Sequence, residues 1–305
     1  MVRRKSDGTD TQAKTVIPVS TGYYARTARP VYALIFLLPF ILLYEILVLA
    51  VNPQLLSEPA SNVRGAVVSF VWVQNFLQYI GMDTKNAWLF APAAVILTLI
   101  VLQLTSRQSW KIKVSDFFIM AGECIVLAIP LIILALVLNR APNRQSAAAN
   151  FLPVILCQTA CDDNTAAQDS SSQNSHAGLN RKSVQMDLLT GIGAGIYEEL
   201  IFRLILISLS MMFFEVVLGV PKTKAIIISV IISSVLFSLH HHFVFLNGQF
   251  ARAEIFTMTR FAFRTVAGVF FAIIFAVRGF GIAAGTHAFY DIIATLLNAW
   301  LFEHY

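Results

Sequence analysis

Apolar residues along this chain fall mainly in long blocks separated by short polar breaks. A helix that crosses a bilayer needs about 20 mostly apolar residues. Seven blocks meet or approach that length and predict spans: Val31–Val51, Ala87–Thr105, Phe117–Leu138, Met186–Val220, Ala225–Leu239, Met258–Val277 and Gly281–Leu301. An eighth block, Val63–Ile80, is interrupted by Arg64, Gln74, Asn75 and Gln78. Its mixture of polar and aromatic residues predicts an amphipathic helix lying in the interface, with an eighth span as the other reading. The expected fold is therefore all-α, a polytopic membrane bundle of seven, or eight, transmembrane helices.

The polar segments divide the chain. Residues 1–30 form a basic tail, 31–138 a first set of transmembrane helices, 139–185 a polar loop, and 186–301 a second set of helices. The heart of the loop, Asp162–Gly178, is rich in Ser, Asn, Gln, Asp and Ala, a composition that buries no core and predicts disorder.

Composition agrees with a membrane setting. The chain is 57% hydrophobic and only 13% charged, about half the charge of a soluble domain. Its net charge of +5 raises the question of nucleic acid, but the basic residues gather between the apolar blocks and no basic patch interleaves with aromatics, so no nucleic-acid partner is expected. The partners expected are the lipid bilayer and a membrane-associated protein or peptide. With seven spans, Lys and Arg outnumber those of the opposite side on the side of the N-terminus, which predicts a cytoplasmic tail. In a bacterium the host bilayer would be the plasma membrane. Of the three cysteines, Cys124 reads as a small buried hydrophobe, and Cys157 and Cys161 as a pair able to form a disulfide outside the cytosol.

Charge inside the apolar blocks is the informative feature, because each ionised side chain at the centre of a bilayer costs about 2.5–3.5 kcal/mol. The fourth block holds Glu198, Glu199 and Arg203. Glu199 and Arg203 are four apart and pair on one helix face. Glu198 is rotated by about 100° from its neighbour and must find another partner. The fifth block ends in Phe237-Ser-Leu-His240-His241-His242, and the seventh carries His287 and Asp291 on one face. Lipid offers no partner to any of these groups, so the three helices are expected to turn them toward one another. Gly191-x-x-x-Gly195 and Gly281-x-x-x-Gly285 supply small surfaces for close packing.

Such a site suits the activation of water. A glutamate in an apolar pocket can take a proton from water and later give it to a leaving amine, His241 can share or relay that proton, and His287 can stabilise a developing oxyanion. His240 and His242 read as interfacial or loop residues. Glu45, Glu123, Arg260 and Arg264 read as packing or interface groups, with Glu123 or Arg264 as secondary candidates for lining the site. Buried charge also suits transport, so a non-catalytic transporter or scaffold is the competing reading.

The ordered triple Glu198-Glu199-Leu-Ile-Phe-Arg203, Phe237-Ser-Leu-His-His241 and His287-Ala-Phe-Tyr-Asp291 resembles the CPBP family, which joins type II CAAX prenyl endopeptidases to bacteriocin-processing and immunity proteins. The resemblance covers about residues 184–300. It implies an intramembrane endopeptidase with Glu198 as the water-activating glutamate, His241 as its partner, Glu199 and Arg203 as a supporting pair, and His287 and Asp291 on the oxyanion side, Asp291 orienting His287. Gly268 falls where the family tends to place a glycine. A bacteriocin self-immunity role is a further possibility within the resemblance. A glutamate mechanism without metal is favoured; if zinc is used, its ligands would be Glu198, His241 and His287, which are legitimate zinc-binding types.

Overall fold

The computed structural model describes residues 22–51, 67–139, 174–246, 249–252 and 256–302. Seven helices among the described residues are long and apolar enough to cross a membrane, and the chain is an integral, multi-pass membrane protein. A short helix α1 (Tyr23–Thr27) precedes the first span, α2 (Pro30–Val51). Then come α3 (Val68–Tyr79), α4 (Thr84–Ser106) and α5 (Val114–Asn139). The fourth span is a long rod: α6 (Asn174–Glu199), a π-helical segment Leu200–Ile207, α7 (Ser208–Met212) and a second π-helical segment Phe213–Val217. The chain continues with α8 (Lys222–His240), α9 (Met258–Arg278) and α10 (Phe280–Phe302).

Three boundaries differ from the expectation, each for a physical reason. First, helix begins at Asn174, inside the segment 139–185 read as loop. Ala177, Leu179, Arg181, Lys182 and Gln185 are acceptable or good helix formers, so the helix runs on past the apolar block. The rest of the Asp162–Gly178 stretch, with Cys157 and Cys161, lies outside the described residues. Second, α3 is shorter than the Val63–Ile80 block and packs one face into the bundle. Its buried face carries Ser69 and Gln74 beside Phe70 and Val71, while Phe76 and Tyr79 point outward. Its 12 residues reach only about 18 Å at 1.5 Å per residue, too short to span. Third, an antiparallel hairpin, β1 (Phe243–Leu246) with β2 (Gln249–Arg252), interrupts the otherwise all-α bundle between α8 and α9. The register pairs Phe243 with Arg252 and Leu246 with Gln249.

Helix α10 is the hub. In its membrane window 72% of residues are buried, against 44% or less in the other six spans, and it packs on α6, α5, α9 and α2. Small residues make this central position possible. A Cβ at Gly195 would lie 2.6 Å from the backbone nitrogen of Ala288, and one at Gly191 would lie 2.6 Å from Cβ of Asp291. The Gly281–Gly285 motif faces elsewhere: Gly281 meets Ala33 of α2, and Gly285 meets Phe36 and Cys124. One glycine motif thus sets the α6–α10 approach and the other seats α10 against α2 and α5. Gly279 joins α9 to α10 with φ of +83°, in the region that favours glycine.

Gly195→Val is therefore expected to overpack the α6–α10 contact and to destabilise the protein by about 1–3 kcal/mol or more. The check is the thermal unfolding midpoint in detergent; an unchanged midpoint would contradict the close approach.

Two of the charged candidates belong to the scaffold. Glu123 accepts from Arg278 Nη2 at 2.7 Å and from the Tyr23 hydroxyl at 2.7 Å, tying α5 to the end of α9 and to α1. Glu45 accepts from the Tyr197 hydroxyl at 3.2 Å. Glu123 therefore does not line the site.

Candidate active site

The three motifs converge. Glu198 and Glu199 close the α-helical part of α6, immediately before the π-helical segment that carries Arg203. π-Helical turns are rare and often mark functional positions. The histidines come from the end of α8, and His287 and Asp291 from the middle of α10.

Glu199 and Arg203 are fully buried and form an ion pair of 3.1 Å. Arg203 also donates to the Gly268 carbonyl at 3.4 Å and lies 4.1 Å from the centre of the Phe237 ring, a cation–π contact. The other oxygen of Glu199 accepts from Nδ1 of His287 at 2.9 Å. Asp291 stands 3.5 Å from Nε2 of the same ring. So the carboxylate that fixes the His287 ring is chiefly Glu199, and Asp291 plays the lesser part in orienting it. Phe271 of α9 stacks on His287, centroids 4.5 Å apart and planes inclined by 18°.

His240 departs from the expectation of an interfacial residue. It is buried, packed among Phe202, Phe237 and Trp72, and its Nε2 lies 3.3 Å from Oε1 of Glu198. Nδ1 of His240 and Nδ1 of His241 both meet the Phe237 carbonyl, at 2.5 and 2.9 Å. A carbonyl only accepts, so both Nδ1 atoms carry hydrogen and the neutral rings present bare Nε2 atoms. The His240–Glu198 contact then needs one proton, held by the imidazole or by the carboxyl, and the two groups share it.

The second oxygen of Glu198, Oε2, is buried and has no hydrogen-bond partner among the described residues. It stands 4.0 Å from Nε2 of His241 and 4.0 Å from Nε2 of His287. Those separations are too long for direct hydrogen bonds and within the span of a bridging water. Side-chain exposure is 6% for Glu198, His240 and His287, but 22% for His241, so the approach to Oε2 lies past His241.

Among the described residues, Glu198, His240 and His241 offer metal-ligating atoms within 4.8 Å of one another. His240 thus takes the place in that set that the sequence assigned to His287. The donor types and the Nδ1 hydrogen bonds to a carbonyl fit a zinc ligand shell. A cation held there would lower the pKa of a bound water.

Among residues the sequence placed at the margin, Arg264 acts electrostatically on His241, Tyr290 and Asp291 and so belongs to the surroundings of the site.

Comparison with known proteins covers the same part of the chain. Residues 180–293 match the family model for type II CAAX prenyl endopeptidase Rce1-like proteins. No curated protein and no solved structure gave a match. The matched segment contains all three motifs, and the family indicates a membrane protease acting on protein substrates. Residues 180–293 of this chain thus match a type II CAAX prenyl endopeptidase Rce1-like domain, and this match supports a CPBP family intramembrane protease.

Proposed function

We propose that this protein hydrolyses a peptide bond of a membrane-associated protein or peptide, CAAX-like and prenylated or otherwise lipid-bound, with water activated by Glu198. The observation that carries the reading is the buried, unpartnered Oε2 of Glu198 facing the Nε2 atoms of His241 and His287 from two other helices. A water held by Oε2 and by the bare Nε2 of His241 has its lone pair free for attack. Glu198 takes its proton as the oxygen adds to the scissile carbonyl. His287, braced through Nδ1 by Glu199, offers Nε2 to the carbonyl oxygen and, when protonated there, donates to the oxyanion. Collapse of the tetrahedral intermediate breaks the C–N bond, and Glu198 returns the proton to the leaving amine. His240 keeps the other oxygen of Glu198 in place throughout. Glu198, His241, His287 and Asp291 form the catalytic group in this scheme, with Glu199, Arg203 and His240 supporting them.

The test is proteolysis by purified protein in liposomes, with prenylated CAAX peptides and membrane-associated peptides as substrates, each with and without a zinc chelator. His241→Ala is expected to abolish cleavage. His240→Ala, which releases Glu198, is expected to lower kcat on the order of 10²-fold, the penalty of a small misplacement. Cleavage that survives chelation supports glutamate chemistry alone. Cleavage lost with chelator and regained with zinc assigns Glu198, His240 and His241 to a metal. Equal cleavage by wild type and both variants would sink the assignment.

A further inference from the structure

Resting on the endopeptidase reading, the geometry points to Ser233 of α8 as a positioning residue for hydrolysis: its hydroxyl holds the Phe202 peptide, and through the Phe202 ring it holds His240 against Glu198.

The need for such a hold comes from the backbone. Phe202 and Arg203 lie inside the π-helical segment Leu200–Ile207, and both are buried. A π turn spaces its hydrogen bonds i to i+5, so the ordinary α-helical spacing does not set the direction of its side chains. The Ser233 hydroxyl, also fully buried, donates to the Phe202 carbonyl at 2.6 Å. It reaches that carbonyl from a different helix, and a hydrogen bond in a low-dielectric interior is stronger than one in water. The carbonyl belongs to the planar peptide unit that joins Phe202 to Arg203. One side-chain bond from α8 thus fixes the plane from which both residues depart.

The two residues depend on that plane unequally. Arg203 has contacts of its own with Glu199, the Gly268 carbonyl and the Phe237 ring. Phe202 is held by ring packing instead, its centroid 4.8 Å from that of His240, 5.5 Å from Phe237 and 6.2 Å from Trp72. The nearest of these three rings is His240, whose Nε2 lies 3.3 Å from Oε1 of Glu198. The Phe237 carbonyl fixes Nδ1 of that imidazole, and Phe202 limits its tilt. A shift of Phe202 therefore passes to His240, and from His240 to the carboxylate whose other oxygen faces His241 and His287. Ser234, the next residue, gives the contrast. It is buried as Ser233 is, but its hydroxyl donates at 2.7 Å to the carbonyl of Val230 in its own helix, a bond that joins α8 to no other element.

The experiment measures kcat and KM on the best-cleaved peptide in liposomes for wild type, Ser233→Ala, Ser233→Cys, Ser234→Ala and His240→Ala, and for each Ser233 variant combined with His240→Ala. Ser233→Ala is expected to lower kcat about 10-fold, part of the penalty of a misplacement of about 1 Å, with KM within a few-fold of wild type. Ser233→Cys keeps a weaker donor in a similar shape. It is expected to fall between the two, and it carries the test if the alanine variant does not fold. Ser234→Ala is expected to stay within a few-fold of wild type. The deciding comparison is the double variant. If Ser233 acts through His240, its loss has no further effect once His240 is gone, and the double variant is as slow as His240→Ala alone. An equal loss of kcat in both backgrounds would make Ser233 a general support of the bundle and overturn the positioning role. Wild-type kcat in Ser233→Ala would overturn it too, and either result leaves the endopeptidase reading intact. No cleavage of any peptide by wild type would overturn the endopeptidase reading and the positioning role with it.

Discussion

Glu198→Gln is expected to reduce peptide hydrolysis by ~10²–10⁴-fold, the contribution of a positioned general base, with KM little changed. Glutamine preserves the shape and the hydrogen-bonding reach of the side chain but takes no proton at neutral pH. Its amide can donate to the bare Nε2 of neutral His240, so the 3.3 Å contact that holds the side chain has a substitute. Oε2, which faces His241 and His287 at 4.0 Å, would be replaced by a group that binds water without deprotonating it. The fold should be untouched, because Glu198 takes no part in the Glu199–Arg203 pair. The measurement is kcat on the best-cleaved peptide, with the thermal midpoint in detergent as control for folding. Activity within a few-fold of wild type, with the midpoint unchanged, would remove Glu198 from the chemistry.

The same residues show how far the sequence could be read. The spans were legible because twenty apolar residues in a row have one common fate in a chain of this composition. The division of labour between Glu198 and Glu199 was legible from helical geometry: neighbours about 100° apart cannot serve one partner, and the structure gives Arg203 and His287 to Glu199 and His240 to Glu198. The π-helical turn after Glu199 was not legible, since no residue type signals it. His240 was hidden by adjacency. Three histidines in a row at a helix end carry no periodicity, and the Phe-x-x-x-His spacing selects His241 alone. What distinguishes His240 is the single carbonyl of Phe237, on which both rings converge, and that is a property of the last helical turn rather than of the spacing. The hairpin was the reverse case. Asn247-Gly248 between Phe243–Leu246 and Gln249–Arg252 is a local signal, overlooked because the segment joins two membrane blocks.

Arg203→Met is expected to be the most destabilising of the substitutions considered, by about 3–5 kcal/mol, the cost of leaving one member of a buried pair alone. Arg203 has no exposed side-chain surface, and neither has Glu199, so water cannot replace the lost partner. The loss should appear as a large drop in the thermal midpoint in detergent, or as failure to recover folded protein. The decisive comparison is Glu199→Gln combined with Arg203→Met. Glutamine is neutral, so the double variant buries no uncompensated charge. Its side-chain oxygen still accepts from Nδ1 of His287, the contact now made at 2.9 Å. The double variant is therefore expected to be markedly more stable than Arg203→Met alone, a non-additivity that measures the pair itself. Additive losses would mean that Arg203 acts through its packing on Phe237 and not through Glu199. Activity separates the two roles of this pair. If Glu199 serves only to hold His287, the stabilised double variant regains hydrolysis along with its fold. If the full charge of the carboxylate beside His287 is needed for the oxyanion step, the double variant folds and stays slow.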